Sequence, residues 1–136
     1  MTNAIYPKFK EIIMSTGLNL LTLDVRIILV DTGLYTYSAA HQFLSNVPLG
    51  ARIGPDSGSL TGKDVTNGIF DADDATFLAV SGSSVEALII YQHTGADSTS
   101  RLITYIDSGV LGLPFTPNGG NVILSFDNGP NKIFVL

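Results

Sequence analysis

Between Val85 and Ile106 the chain reads VEALIIYQHTGADSTSRLITYI. In an extended chain Val85, Ala87, Ile89 and Tyr91 project to one side while Leu88 and Ile90 project to the other, so both faces of the first arm are apolar. Leu102, Thr104 and Ile106 alternate with Ile103 and Tyr105 in the second arm. The small polar residues around Gly95 favour a chain reversal between them. This pattern predicts a central hairpin lying deep in a sheet, with further strands on either side, because an isolated hairpin is only marginally stable.

The same periodicity predicts the remaining elements. Ile5, Phe9, Ile12 and Ile13 fall at helical spacing, giving a short helix from Ala4 to about Ser15, capped by Asn3 and stopped at Gly17. A strand is expected over Leu20 to Val30, followed by a brief helix that Ser38 caps and that ends before Pro48. From Gly50 to Asp71 the Gly, Ser and Asp content predicts short edge strands and turns. Ala75 to Val80 reads as another strand, and Gly109 to Gly120 as a loop. Asn121 to Phe126 and Lys132 to Leu136 are expected to pair as a terminal hairpin through Asp127-Asn128-Gly129-Pro130. Many short strands with frequent turn signals predict an all-β protein, an antiparallel jelly-roll-like β-sandwich with a short N-terminal helix.

Composition adds limits. The 136 residues suit one domain, 1–136, whose first 17 residues are the helical segment. Charged residues make up 14% of the chain and hydrophobic ones 45%, against about 25% charged in an average soluble domain. A surface so lightly guarded by charge is easy to desolvate in a contact, which favours an assembled protein. The net charge of −5, with seven scattered Lys and Arg, speaks against nucleic-acid binding, which needs a clustered basic face. The chain has no cysteine, so disulfides, thiolate metal sites and cysteine nucleophiles are excluded. The N-terminal MTNAIYPKFKEIIMSTG carries charges and no long apolar run. It is therefore expected to be neither a signal peptide nor a membrane span.

No stretch spells out a chemistry. His41 and His93 lack a Ser and Asp at any recognisable spacing, and each reads as a hydrogen-bonded or solvated side chain. Asp71, Asp73 and Asp74 form the densest carboxylate group, yet Ala75 and Thr76 stand where an EF-hand loop needs a ligand and its sharp-turn glycine. Gly58 to Gly62 is one residue short of a phosphate loop, and Asp64 follows Lys63 where a Ser or Thr would hold magnesium. The expectation is a protein without catalytic residues, metal or cofactor.

The segments NAIYPKFKEIIMSTG, DVRIILVDTGLYTYSAAHQFLSNVP, LTGKDVTNGIFDADDATFLAVSG, VEALIIYQHTGADSTSRLITYID and LPFTPNGGNVILSFDNGPNKIFVL together resemble small virion proteins of tailed bacteriophages, over nearly the whole chain. Within that group the chain looks most like the capsid cement or decoration proteins of HK97-like shells. The resemblance implies a β-sandwich on the capsid exterior, made in the host cytoplasm, with the major capsid protein as partner and a two-fold homodimer as the expected oligomer. A tail or baseplate component is the alternative within the group. Outside it stands a glycan-binding module, for which the chain lacks Trp and offers only Tyr35, Tyr37 and Phe115 as platforms. The expected contact surface comprises Tyr6, Lys8 and Phe9 on the helix and Leu113, Pro114, Phe115, Pro117 and Asn118 in the loop, where apolar groups stand beside glycine and proline.

Overall fold

The fold is that of a computed structural model describing residues 3–108, 110, 112–126 and 133–135. It is mostly β, with antiparallel pairing throughout. Its elements are β1 (Ala4–Ile5), α1 (Pro7–Ser15), β2 (Val25–Val30), β3 (Arg52–Ile53), β4 (Asp64–Thr66), β5 (Ile69–Asp71), β6 (Ala75–Phe77), β7 (Ala87–Gln92), β8 (Leu102–Ile106), β9 (Val122–Leu124) and β10 (Phe134–Val135). They form a five-stranded sheet in the order β1-β8-β7-β2-β3, a three-stranded sheet β10-β5-β4 and a two-stranded ribbon β6-β9.

The central hairpin forms as its pattern predicts. Ile89 lies opposite Tyr105 on β8 and Ile28 on β2, while Ile90 lies opposite Thr104 and Ile27. All of these side chains are buried, so the strands β7 and β8 are covered on both faces. Burying an apolar strand on both faces leaves its polar groups in need of partners. Thr104 meets this by donating from Oγ1 to the Ala4 carbonyl at 3.0 Å, and Ser100 by donating to the Ala96 carbonyl at 2.9 Å in the turn. No buried side-chain nitrogen or oxygen among the described residues lacks a hydrogen bond.

The N-terminal helix starts later than its apolar spacing suggests. Tyr6 is extended, with φ −62° and ψ 127°, and Pro7 opens the helix, because a residue before proline is pushed out of the helical region. Ala4 and Ile5 instead add an edge strand to the five-stranded sheet. Asn3 is therefore not a helix cap. Its side-chain oxygen accepts from the Asp107 and Ser108 amides at 2.8 and 3.1 Å, tying the chain start to the end of β8.

Three further boundaries shift for local reasons. Leu20 to Leu23 do not join β2, since the Asn19 side chain accepts from the Leu21 amide and the Asn19 carbonyl accepts from Thr22 and Leu23, closing a turn. Ser38 caps only a turn, accepting from the Ala40 amide; a single 3-10 turn follows at Leu44–Asn46. The strand from Ala75 ends at Phe77, ahead of Ala79 with a positive φ of 49°.

Among the described residues, the two arms of the expected terminal hairpin make long-range pairings. β9 pairs with β6, placing Leu124 opposite Ala75, and β10 pairs with β5, placing Phe134 opposite Phe70. Leu124 and Phe134 are both buried by these partners, a larger apolar gain than a local Asn-Gly turn offers. The turn Asp127 to Pro130 lies outside the described residues.

Candidate contact surface

The polar residues with chemical potential are spent on holding the fold. Tyr6 Oη lies 2.8 Å from Tyr35 Oη, which lies 2.8 Å from His41 Nδ1. Burial pushes the Tyr6 and Tyr35 phenols up and the His41 imidazole down, so this chain of groups is neutral at neutral pH. The chain links the start of α1 to the connection after β2. His93 stands apart, its amide bonded to the Asp24 carbonyl and its ring edge-on to Tyr91. The two histidines thus belong to separate contacts.

Asp73 accepts from Thr61 Oγ1 at 3.1 Å and Asp74 from Ser125 Oγ at 3.1 Å, while Asp71 lies opposite Asp64 in the β4–β5 ladder. The Asp73 and Asp74 carboxylates latch different neighbours. Among the described residues no three His, Asp or Glu side chains converge as a metal site would require. The Gly58–Lys63 stretch makes no phosphate cradle either. Lys63 Nζ donates to the Leu23 carbonyl, and the Ser57 and Leu60 amides bond to the Ile27 and Val25 carbonyls, stitching the loop along β2.

Arg26 gathers Asp24 and Asp56 around itself, at 3.0 and 3.3 Å, and Tyr91 Oη donates to Asp56 at 3.1 Å. Burial opposes ionisation of Asp24, but hydrogen bonds from Arg26 and Ser59 outweigh it and hold the carboxyl below its ordinary range. One guanidinium thus faces two carboxylates, so the cluster is held together by Arg26 and keeps a net charge of −1.

Another part of the described surface is apolar. The tight β4–β5 turn uses Asn67 and Gly68, both at positive φ (54° and 76°), as a two-residue type I′ hairpin requires. That register sets Val65 opposite Phe70, and Phe70 opposite Phe134 on β10, giving a row of three apolar side chains across the sheet. The Phe70 and Phe134 rings stack at 5.2 Å. Phe9 and Ile13 of α1 and the Leu18–Leu21 turn complete a groove of about 470 Å³ against this row. Its floor is buried, but Leu21 and Val65 at its rim are 49% and 47% exposed. Met14, beside Ile13 on the helix, is 79% exposed.

The residues expected at a contact surface divide. Tyr6 and Phe9 are fully buried in this chain's own core, which corrects their assignment as exposed contacts: their rings face inward because α1 needs an apolar face to dock. Lys8 is half-exposed and pairs with Glu11 at 3.2 Å. Leu113 and Phe115 are half-buried and pack against the core, Pro117 is half-buried, and Pro114 and Asn118 are exposed. The helix and the loop do not line one common depression: Phe9 lies in the groove, and Pro114 borders a separate depression beside Tyr35, Tyr37 and Tyr105.

The groove residues Leu18, Leu21 and Val65 are not singled out by the strand pattern. Their signals are the Asn67-Gly68 dipeptide, which fixes Val65 across from Phe70, and the apolar density of Leu18, Leu20 and Leu21 around Asn19, too short and too polar-flanked to be all core.

No protein-family model matches the chain, and a search of curated proteins likewise finds no match.

Proposed function

We propose that this chain is a non-enzymatic virion structural protein, a cement or decoration protein on the outer surface of a tailed-phage shell, with the major capsid protein as its partner. The apolar groove between α1 and the three-stranded sheet carries the reading, because Leu21 and Val65 leave apolar side chains in water at its rim. A protein that clamps a shell works through contact area and needs no reactive group. Low charge lowers the cost of desolvating that area. Three antiparallel sheets sharing one core support the finer reading of the fold as a jelly-roll-like sandwich, and closed two-fold pairing is the expected arrangement of copies on the shell.

The test replaces Leu21 and Val65 together by Ser and measures co-sedimentation with particles lacking the protein. Attachment is expected to be lost while the isolated protein unfolds within about 0.5 kcal/mol of the parent per site, as exposed substitutions do. Undiminished attachment overturns the groove as the contact surface, and density for the protein at the tail in a particle map overturns the shell assignment.

A further inference from the structure

Asn-Gly occurs three times in the chain, at Asn67-Gly68, Asn118-Gly119 and Asn128-Gly129. The last lies outside the described residues. The dipeptide carries a latent reaction, because glycine has no side chain to hold its amide nitrogen away from the asparagine side-chain carbonyl carbon. After losing its proton to a solvent base, the glycine nitrogen attacks Cγ. The N–Cγ bond forms, the Cγ–Nδ2 bond breaks, and Nδ2 takes up a proton and leaves as ammonia. Water then opens the cyclic imide at either of its carbonyls, giving aspartate or isoaspartate. No oxidant, metal or further side chain takes part, so the fold decides which asparagine reacts.

Exposure does not separate the two described sites, since Asn67, Gly68, Asn118 and Gly119 are all exposed. Hydrogen bonding does. Asn118 Oδ1 accepts from the Gly120 amide at 2.9 Å, and the Gly119 amide donates to the Val80 carbonyl at 2.7 Å. The Val80 amide donates to the Gly120 carbonyl at 3.0 Å, so this loop is clamped to its neighbour around the reacting atoms. At the β4–β5 turn, neither the Asn67 side chain nor the Gly68 amide makes a hydrogen bond among the described residues. Ring closure requires the Asn67 backbone to swing out of its left-handed turn conformation, at φ 54°. Only the three-residue β4, exposed along its length and at the edge of its sheet, has to fray for that.

We infer that Asn67 is a site of spontaneous deamidation whose products remodel the rim of the apolar groove. Gly68 lines that groove beside Val65 and Phe70. Isoaspartate carries the main chain through the former side chain, which inserts a carbon between the Asn67 Cα and the Gly68 nitrogen and breaks the two-residue type I′ geometry. The register that sets Val65 opposite Phe70 depends on that geometry. Either product also adds a negative charge to a hairpin that already carries Asp64 and Asp71.

The test incubates the folded whole chain at mildly alkaline pH and maps its proteolytic peptides by mass, with the isoaspartyl and aspartyl forms separated by chromatography. Conversion at Asn67 is expected to run about tenfold or more ahead of Asn118, the protection that one or two extra hydrogen bonds confer. In urea, where both turns are open, the two sites are expected to react at similar rates. Asn67→Gly, which suits the type I′ turn, is expected to abolish the fast reaction and keep the parent's amide NMR spectrum. The backbone amide shifts of Val65 and Phe70 are expected to move as isoaspartate accumulates in the parent. An Asn67 that stays unconverted, or that reacts no faster than Asn118 in the folded chain, overturns the site. A preference that persists undiminished in urea overturns the role of the fold, and unmoved Val65 and Phe70 shifts overturn the link to the groove.

Discussion

The Tyr6 hydroxyl lies 2.8 Å from the Tyr35 hydroxyl, and this bond joins two segments 29 residues apart inside the core. The two ends of the bond are not equivalent. Tyr35 also reaches His41 Nδ1, whereas Tyr6 is fully buried and among the described residues its hydroxyl bonds only to Tyr35. Tyr6→Phe leaves Tyr35 with a partner and should cost about 1 kcal/mol, the net value of one hydrogen bond. Tyr35→Phe strands a buried hydroxyl and should cost about 1–3 kcal/mol. Urea unfolding midpoints at unchanged slope measure both, and a Tyr35→Phe protein no less stable than Tyr6→Phe would refute the asymmetry.

The same network predicts a pH dependence near neutrality. Burial holds folded His41 below its ordinary value of 6.5. Between those two values the unfolded chain takes up the proton and the folded chain does not. Stability therefore falls as pH drops through about 6.5 and levels off once folded His41 is protonated as well. Asp24 and Glu86 act later, because their contributions are complete above their ordinary values of 3.8 and 4.5 and are lost as pH falls from there through their lowered folded values. His41→Gln should flatten the first fall and leave the acid limb in place. If the near-neutral fall survives in that variant, another group causes it.

Ile89 sits at the centre of the five-stranded sheet, fully buried between Ile28 and Tyr105. Ile89→Ala should cost about 2–5 kcal/mol, as truncation in a close-packed core does. A cost under about 0.5 kcal/mol in equilibrium unfolding would show that the hairpin is not the centre of the core.

The sequence is most legible where periodicity and burial agree. Val85 to Ile106 is apolar on both faces and becomes the two central strands with their polar turn. The short edge strands within Gly50 to Asp71 are visible for the same reason, as brief apolar runs cut by turn residues. Legibility fails where a neighbour in space outweighs one in sequence. Leu124 and Phe134 flank a strong local turn signal, yet they pair with Ala75 and Phe70, 49 and 64 positions away, a choice that only the shape of the assembled core decides. The contact surface fails in another way. Helical spacing marks Phe9 as one face of α1, but the same spacing serves docking onto this chain or onto a partner, and only the position of Phe70 and Phe134 shows that Phe9 turns inward.

Phe115 distinguishes core cover from contact surface. Its backbone is clamped to the core, with the Val85 amide donating to the Phe115 carbonyl at 2.8 Å and the Phe115 amide donating to the Val85 carbonyl at 3.0 Å. The following residues are anchored too, as Gly119 donates to the Val80 carbonyl and Val80 to the Gly120 carbonyl. With its ring half-buried against the core, Phe115→Ser should remove about 1–2 kcal/mol of apolar burial and lower the melting temperature of the isolated protein by several degrees. The folded fraction should attach to particles normally, the reverse of the behaviour expected when Leu21 and Val65 are replaced. A Phe115→Ser protein that melts like the parent but no longer attaches would move the shell-facing surface from the groove to the Leu113–Asn118 loop.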